Sequence, residues 1–168
     1  FWGYRNAETP DKSTNIVPWG IIVGGEELHN NHHAYPTSAK LSSKWYEFDI
    51  GWMYIRLLEK LDWAHVKHIP PVLMLDEQKK TCDEKTVAAL IAHRYYFTQE
   101  LKRAIEADSQ KLFTQDLMKE IQSMWEDKNA KAEELVEKLE HWCEKVKNLQ
   151  VASLEIFTQK LRMSVLKP

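Results

Sequence analysis

Three histidines stand at i, i+3 and i+4 in the pentad His29-Asn30-Asn31-His32-His33. On a helix these positions share one face, with Cβ atoms roughly 5–6 Å apart, so the imidazoles can converge on a metal ion. His32 and His33 alone would diverge by about 100° around the helix. Neutral imidazole suits iron, zinc, copper and nickel, so the spacing points to a metal site without naming the metal. A single histidine is ordinarily a satisfied polar residue. Three in this pattern favour metal binding, with a histidine-rich metal tract as the competing local reading. Glu26, one turn earlier, is a candidate acceptor to orient an imidazole, as metal-bound histidines usually require; a solvated helix charge is the equal alternative. Asn30 and Asn31 are candidates to hold a ligand water or to donate to a neighbour. His65 and His68, also at i, i+3, read instead as a surface pair or a helix C-terminal cap. His93 and His141 stand alone and read as surface or packed residues.

The elements that must present the histidine face follow from its flanks. Residues 8–15 read as a polar loop. The spacing predicts a helix over 16–31, entered with Pro18 in its first turn and ended by Ala34-Tyr35-Pro36. A second helix is expected from about residue 44 or 48 to 61, because Phe48, Trp52, Ile55 and Leu58 recur at helical spacing. Trp45, Tyr46, Trp52, Tyr54 and Trp63 crowd this region. Aromatic packing in a core is the expectation, and a helix lying in a membrane interface is the alternative.

The composition changes at Ile69-Pro70-Pro71. All 5 glycines and five of the 7 histidines precede it, and the remainder is rich in Glu, Lys, Leu and Ala. Proline removes a backbone donor and disfavours helix before it, so two regions are expected, 1–73 and 74–168. The second reads as wholly helical. Val87, Leu90, Ile91, Arg94, Tyr95, Thr98, Leu101 and Ile105 mark one helix face opened by Thr81 or Asp83, and Asp108-Ser109 suits a turn. Leu117, Ile121, Trp125, Ala132, Leu135, Leu139, Trp142, Val146 and Leu149 continue the three-and-four spacing. Leu154, Phe157, Leu161 and Val165 carry it on.

The 168 residues carry 23 basic and 25 acidic side chains, a formal net charge of −2. That balance, which holds on both sides of Leu73, argues against a nucleic-acid binder with a basic stripe. Cys82 and Cys143 lack a metal-ligand spacing and are expected as reduced thiols in a cytoplasmic setting. There is no apolar run of about 18 residues to cross a bilayer; the longest apolar stretch, 16–25, contains Pro18. The chain opens on Phe1 rather than methionine and reads as part of a longer protein.

The segment Phe1-Trp2-Gly3-Tyr4-Arg5-Asn6-Ala7-Glu8-Thr9-Pro10-Asp11, Gly25-Glu26, the histidine pentad and Ala34-Tyr35-Pro36 closely resemble the bacterial acyl-CoA Δ9 desaturases. Trp45-Tyr46-Glu47-Phe48-Asp49 and Ile55-Arg56-Leu57-Leu58-Glu59-Lys60-Leu61 extend the resemblance to about Val66. Glu27-Leu28 departs from the commoner Gly-aromatic pair, and Asn31 stands where many eukaryotic relatives have Tyr.

The resemblance implies an integral-membrane enzyme that inserts a cis double bond into a saturated long-chain acyl-CoA. It implies a di-iron centre, dioxygen and electrons from a donor protein. It places the site on the cytoplasmic side of four membrane helices. His29, His32 and His33 match the third of three histidine boxes and are implied as iron ligands. The first two boxes, the membrane helices and a further histidine ligand are expected upstream of Phe1. The expectation is therefore an all-α C-terminal fragment: a cytosolic cap segment over 1–73, then a helical hairpin or bundle extension over 74–168. Its iron site is incomplete, and the polypeptide is expected to be inactive alone. The rival from another class is a helical interaction module with a non-redox metal-binding histidine cluster. A di-iron hydroxylase fragment is the rival among enzymes.

Overall fold

A computed structural model describes residues 2–107, 114–126 and 130–167. They group into two compact units, Phe1–Pro70 and Pro71–Pro168, so the division falls at the Pro-Pro step. The expected turn at Asp108-Ser109 lies outside the described residues, as does Phe1.

In the first unit the helix expected over 16–31 does not form. Two-residue strand β1 (Trp19–Gly20) instead pairs in parallel with β2 (Phe48–Asp49). A 3-10 turn at Glu26–Leu28 follows, and helix α1 covers only His29–Ala34. Two local causes stop the longer helix. Gly24 and Gly25 take positive φ values of 69° and 109°, outside right-handed helix space. The Pro18 carbonyl, which an ordinary helix would use internally, accepts from the Phe48 N–H at 2.8 Å. A Cβ on Gly25 would also stand 2.9 Å from Asp49 Oδ1, so this turn requires glycine sterically as well.

Helix α2 (Ile50–Lys60) forms close to where its spacing placed it. Asp49 caps it, Oδ1 accepting from the Trp52 N–H at 2.9 Å while Oδ2 accepts from Leu41 N–H at 2.7 Å. Its end is a Schellman turn, with Asp62 at φ 57° and the Trp63 N–H donating to the Leu58 carbonyl at 2.9 Å. The expectation of an aromatic core here is overturned. No residue of α2 is buried. Trp45 is 94% and Trp63 77% exposed, with Tyr46 and Tyr54 also exposed. Trp45 and Tyr46 meet edge to face, 5.7 Å between centroids, outside any core.

Among the described residues, the second unit is a bundle of five helices clasped by a strand pair. Strand β3 (Leu73–Leu75) runs antiparallel to β4 (Ser164–Leu166), in the register Leu73 with Leu166 and Leu75 with Ser164. Between them lie α3 (Glu84–Ala92), α4 (Arg94–Glu106), α5 (Thr114–Glu126), α6 (Ala132–Lys147) and α7 (Ala152–Met163). Among the described residues helices dominate, in keeping with the expected helical fold, with four short strands beside them; Val165 belongs to β4, opposite Met74, rather than to a helix. Opposite one another, Val165 and Met74 use β pairing that a helical periodicity count cannot see.

The single face expected across 87–105 belongs to two helices that break at His93. The break lets α3 pack on β4 and α6 while α4 packs on α5 and α7. Asp83 opens α3 with a reciprocal capping box to Thr86. Gln150, at φ 55°, separates α6 from α7. The core holds Leu90, Phe97, Leu101, Ile121, Leu139, Trp142, Val146, Phe157 and Leu161. Edge-to-face contacts of Phe157 with Phe97 and Trp142, at 6.4 and 6.2 Å between centroids, knit it together. Cys82 and Cys143 are both free and buried in it.

Candidate metal centre

Helix α1 is too short to hold its orientation by helix propensity, since isolated helices under about 12–15 residues are marginal. Buried amides hold it instead. Asn30 accepts from the backbone N–H groups of Asn6 and Ala7 at 2.8 and 2.9 Å and donates to the Ala7 carbonyl at 2.9 Å. Asn31 accepts from the side-chain amides of Asn6 at 2.9 Å and Asn15 at 3.1 Å. It donates to Glu47 Oε2 at 2.8 Å. The role expected for Asn30 and Asn31, holding water or a neighbour, is thus largely internal: they fasten the helix between the ligands.

Glu47 is the hub. Only 7% exposed, it accepts from the Tyr4 hydroxyl at 2.7 Å, Asn6 at 2.5 Å, Asn31, and the Ser43 and Lys44 N–H groups at 2.6 and 2.9 Å. Five donors meet one buried carboxylate, which is what burial of such a group demands. Burial, then the hydrogen bond and charge of Glu47, push the Tyr4 phenol well above its ordinary range and keep it a donor.

Glu27, part of the departure from the resembling motif, has a local structural task. Its carboxylate accepts from the N–H groups of Ile22 at 2.5 Å, Val23 at 3.0 Å and Gly25 at 3.3 Å. Burial works to raise its pKa, and backbone N–H groups, those of Val23, Ile22 and Gly25 among them, outweigh that and hold it below the usual value. The charge therefore seals the glycine turn that leads into α1.

On the opposite face the three imidazoles gather. His29 and His33 lie 4.3 Å apart between centroids, His32 and His33 5.8 Å, and His29 and His32 6.2 Å. The i, i+3, i+4 spacing therefore brings the rings together. Their Nδ1 environments differ. Asp11 Oδ2 lies 2.5 Å from His33 Nδ1. Glu26 Oε2 is 3.5 Å from His29 Nδ1, with both side chains about half exposed. His32 Nδ1 is buried without a hydrogen-bond partner. Burial works to raise the Asp11 carboxyl; hydrogen bonds from Ser13, His33 and Thr9 outweigh it and hold the group far below the usual carboxylate range.

The donor set suits a transition metal. Carboxylates facing Nδ1 leave the other ring nitrogens for ligation, and His32 carries an orphaned polar atom. Among the described residues, however, no group of three or more His, Cys, Asp or Glu side chains is arranged to enclose an ion. His65 and His68 are exposed and lie past the end of α2 rather than on it. His93 is buried in the bundle, where burial lowers its pKa, and His141 is exposed.

Sequence reasoning passed over Asp11, Glu47, Asn6, Asn15 and Tyr4 as parts of the site. Asp11 carried a faint signal, a Pro-Asp-x-Ser turn pattern within a loop read only as polar. Glu47 carried none beyond its place in a resembling segment.

The chain is 41% identical over 69 residues to Delta-9 desaturase-like 5 protein of Arabidopsis thaliana, covering 41% of this chain and 23% of that protein. It is 43% identical over 63 residues to sn-2 palmitoyl-lipid 9-desaturase of Nostoc, covering 38% and 22% respectively. Acyl-CoA C20 Delta5-desaturase of Anemone leveillei is 41% identical over 69 residues, 41% of this chain and 22% of that protein. The chain thus spans under a quarter of the length of these curated relatives. No family model matches it. No solved structure matches it either.

Proposed function

We propose that the first unit is the third-histidine-box segment of an oxygen-dependent fatty acyl desaturase, with His29, His32 and His33 as iron ligands. The observation that carries this reading is the identity of about 40% to three differently named desaturases. The gathered imidazoles on a helix fixed by buried amides support it.

In this reading a bound di-iron centre supplies the oxidising power to remove hydrogens from an unactivated methylene of a saturated chain. The residues of this chain position it: Asn30, Asn31 and Glu47 hold α1, and α1 presents three imidazoles on one side. We assign long-chain acyl-CoA as substrate. Relatives named for acyl-lipid as well as acyl-CoA substrates make the carrier the point an assay must decide. Electrons come from a donor protein. The unit sits against a membrane on its cytoplasmic side, in the company of spanning helices. No described helix is long and apolar enough to cross a membrane, while the exposed Trp19, Ile22, Trp45, Tyr54, Leu57 and Trp63 present apolar surface that such neighbours would cover. In this reading three imidazoles do not complete a di-iron site, and the chain alone is expected to be inactive.

The experiment is a chimera. Residues 1–70 replace the matching segment of a desaturase relative, and fatty acids are analysed in cells lacking their own desaturase. The chimera is expected to restore monounsaturated product, and His29→Ala, His32→Ala and His33→Ala to abolish it. Hydroxylated product, or full activity in any of the three variants, sinks the reading. Purified 168-residue chain with iron, dioxygen, reductant and stearoyl-CoA is expected to form no double bond.

A further inference from the structure

The loop that precedes β1 is built to deliver one oxygen. Asp11 Oδ1 is occupied internally, accepting from the Thr9 hydroxyl and the Ser13 N–H, both at 2.9 Å. Arg5 Nη2 donates to the carbonyls of Thr9 and Asp11, each at 3.0 Å, and so fixes the backbone on both sides of Pro10. Asn30, lying between two of the histidines, reaches the same loop at Thr9 Oγ1 and Ser13 Oγ, 3.3 and 3.4 Å away. The loop and α1 are therefore tied together, and the oxygen left over, Oδ2, points at His33 Nδ1 from 2.5 Å.

We infer that Asp11 is a positioning residue for His33, holding its proton on Nδ1 and turning its Nε2 lone pair outward as the ligating atom. The inference rests on the metal reading above only for what Nε2 is presented to. A carboxylate accepts and cannot donate, so a short contact to Nδ1 selects the Nδ1–H form of a neutral ring. Partners of this kind fix ring orientation as well as tautomer, and their loss costs about 10- to 100-fold in metal affinity. The other two histidines lack an equivalent. Glu26 approaches His29 from one turn away on exposed surface, and His32 Nδ1 has no partner. His33 is thus the ligand whose direction is set before any metal arrives.

The test uses the whole 168-residue chain in neutral buffer. Long-range proton–nitrogen NMR reports which ring nitrogen of each histidine carries hydrogen, with His33 assigned by comparison with His33→Gln. The wild type is expected to hold His33 as the Nδ1–H tautomer. Asp11→Asn, whose amide can donate to Nδ1, is expected to give a mixture, and Glu26→Gln to leave His33 unchanged. Wild-type His33 found as the Nε2–H form, or doubly protonated, overturns the inference without any variant having to fold. Cobalt(II) titration of the same samples is expected to show affinity weaker by about 10- to 100-fold in Asp11→Asn. If the tautomer depends on Asp11 but neither protein binds cobalt, the positioning role stands on the tautomer alone, and the metal reading is decided by the chimera. If both bind equally with the same tautomer, the metal reading stands and the role of Asp11 is refuted.

Discussion

Residues 1–70 bury asparagines and carboxylates, whereas residues 71–168 bury leucines, aromatic rings and two cysteines. In the first unit the buried residues include Asn6, Asn15, Glu27, Asn30, Asn31, Glu47 and Asp49, with only Ala7 and Leu28 as buried apolar residues among those described. Many of its large apolar side chains, Trp2, Ile22, Trp45 and Trp63 among them, are exposed. The second unit inverts this, closing a continuous apolar core from Cys82 to Leu161. Hydrophobic packing tolerates small rearrangements, while a network of paired amides and carboxylates is directional and unforgiving. The segment that gathers three imidazoles on one helix has the second kind of interior. The helical bundle has the first.

The contrast can be broken from either side. Trp142→Ala is expected to have the largest effect, costing the second unit about 3–5 kcal/mol through a large cavity beside Phe157; urea denaturation followed by circular dichroism measures it. Glu47→Ala strands five donors around an empty site and is expected to cost more than about 3 kcal/mol, confined to the first unit. Limited proteolysis should then cut within residues 1–70 and spare 71–168. Cleavage spread evenly through the chain would deny the separation.

Asp83→Ala is expected to cost about 1 kcal/mol by removing the cap of α3. The same carboxyl supplies a pH dependence. Burial raises its pKa, but Lys79 and Thr86 outweigh that and hold it below its ordinary 3.8. A group depressed on folding contributes stability that is full above the unfolded value and lost as pH falls through the folded one. The urea midpoint of the second unit should therefore drop on acidification below about pH 4, and less so in Asp83→Asn. The smallest effect is expected from Leu57→Lys on the uncovered face of α2, within about 0.5 kcal/mol of the parent. A large loss there would mean that this face is packed in the isolated chain.

How far each region could be read ahead of its structure follows the same divide. Leu90, Leu101, Ile121, Leu139, Trp142 and Leu161 announced their burial by helical spacing, because an apolar core and a 3.6-residue period are one physical fact. The β3–β4 pair escaped because three-residue strands leave almost no alternation to detect. His29, His32 and His33 were legible as a shared face. The longer helix before them was misread, since Ile16, Ile21, Ile22 and Val23 look like a helix interior until Gly24 and Gly25 turn the chain. Glu47 was silent, and Asp11 nearly so. Their importance lies in partners 22 and up to 43 residues away, and no local pattern records such a distance.

The strand pair of the second unit has a further consequence. The Lys167 N–H donates to the Val72 carbonyl at 2.8 Å, so the path of the chain into the bundle and the path out of it run side by side. A module whose two ends meet behaves as a cassette: it can be spliced into or removed from a host polypeptide while leaving the gap it spans nearly unchanged. Under tension the same clasp would open from its loose end, one bond after another, before any helix felt the load.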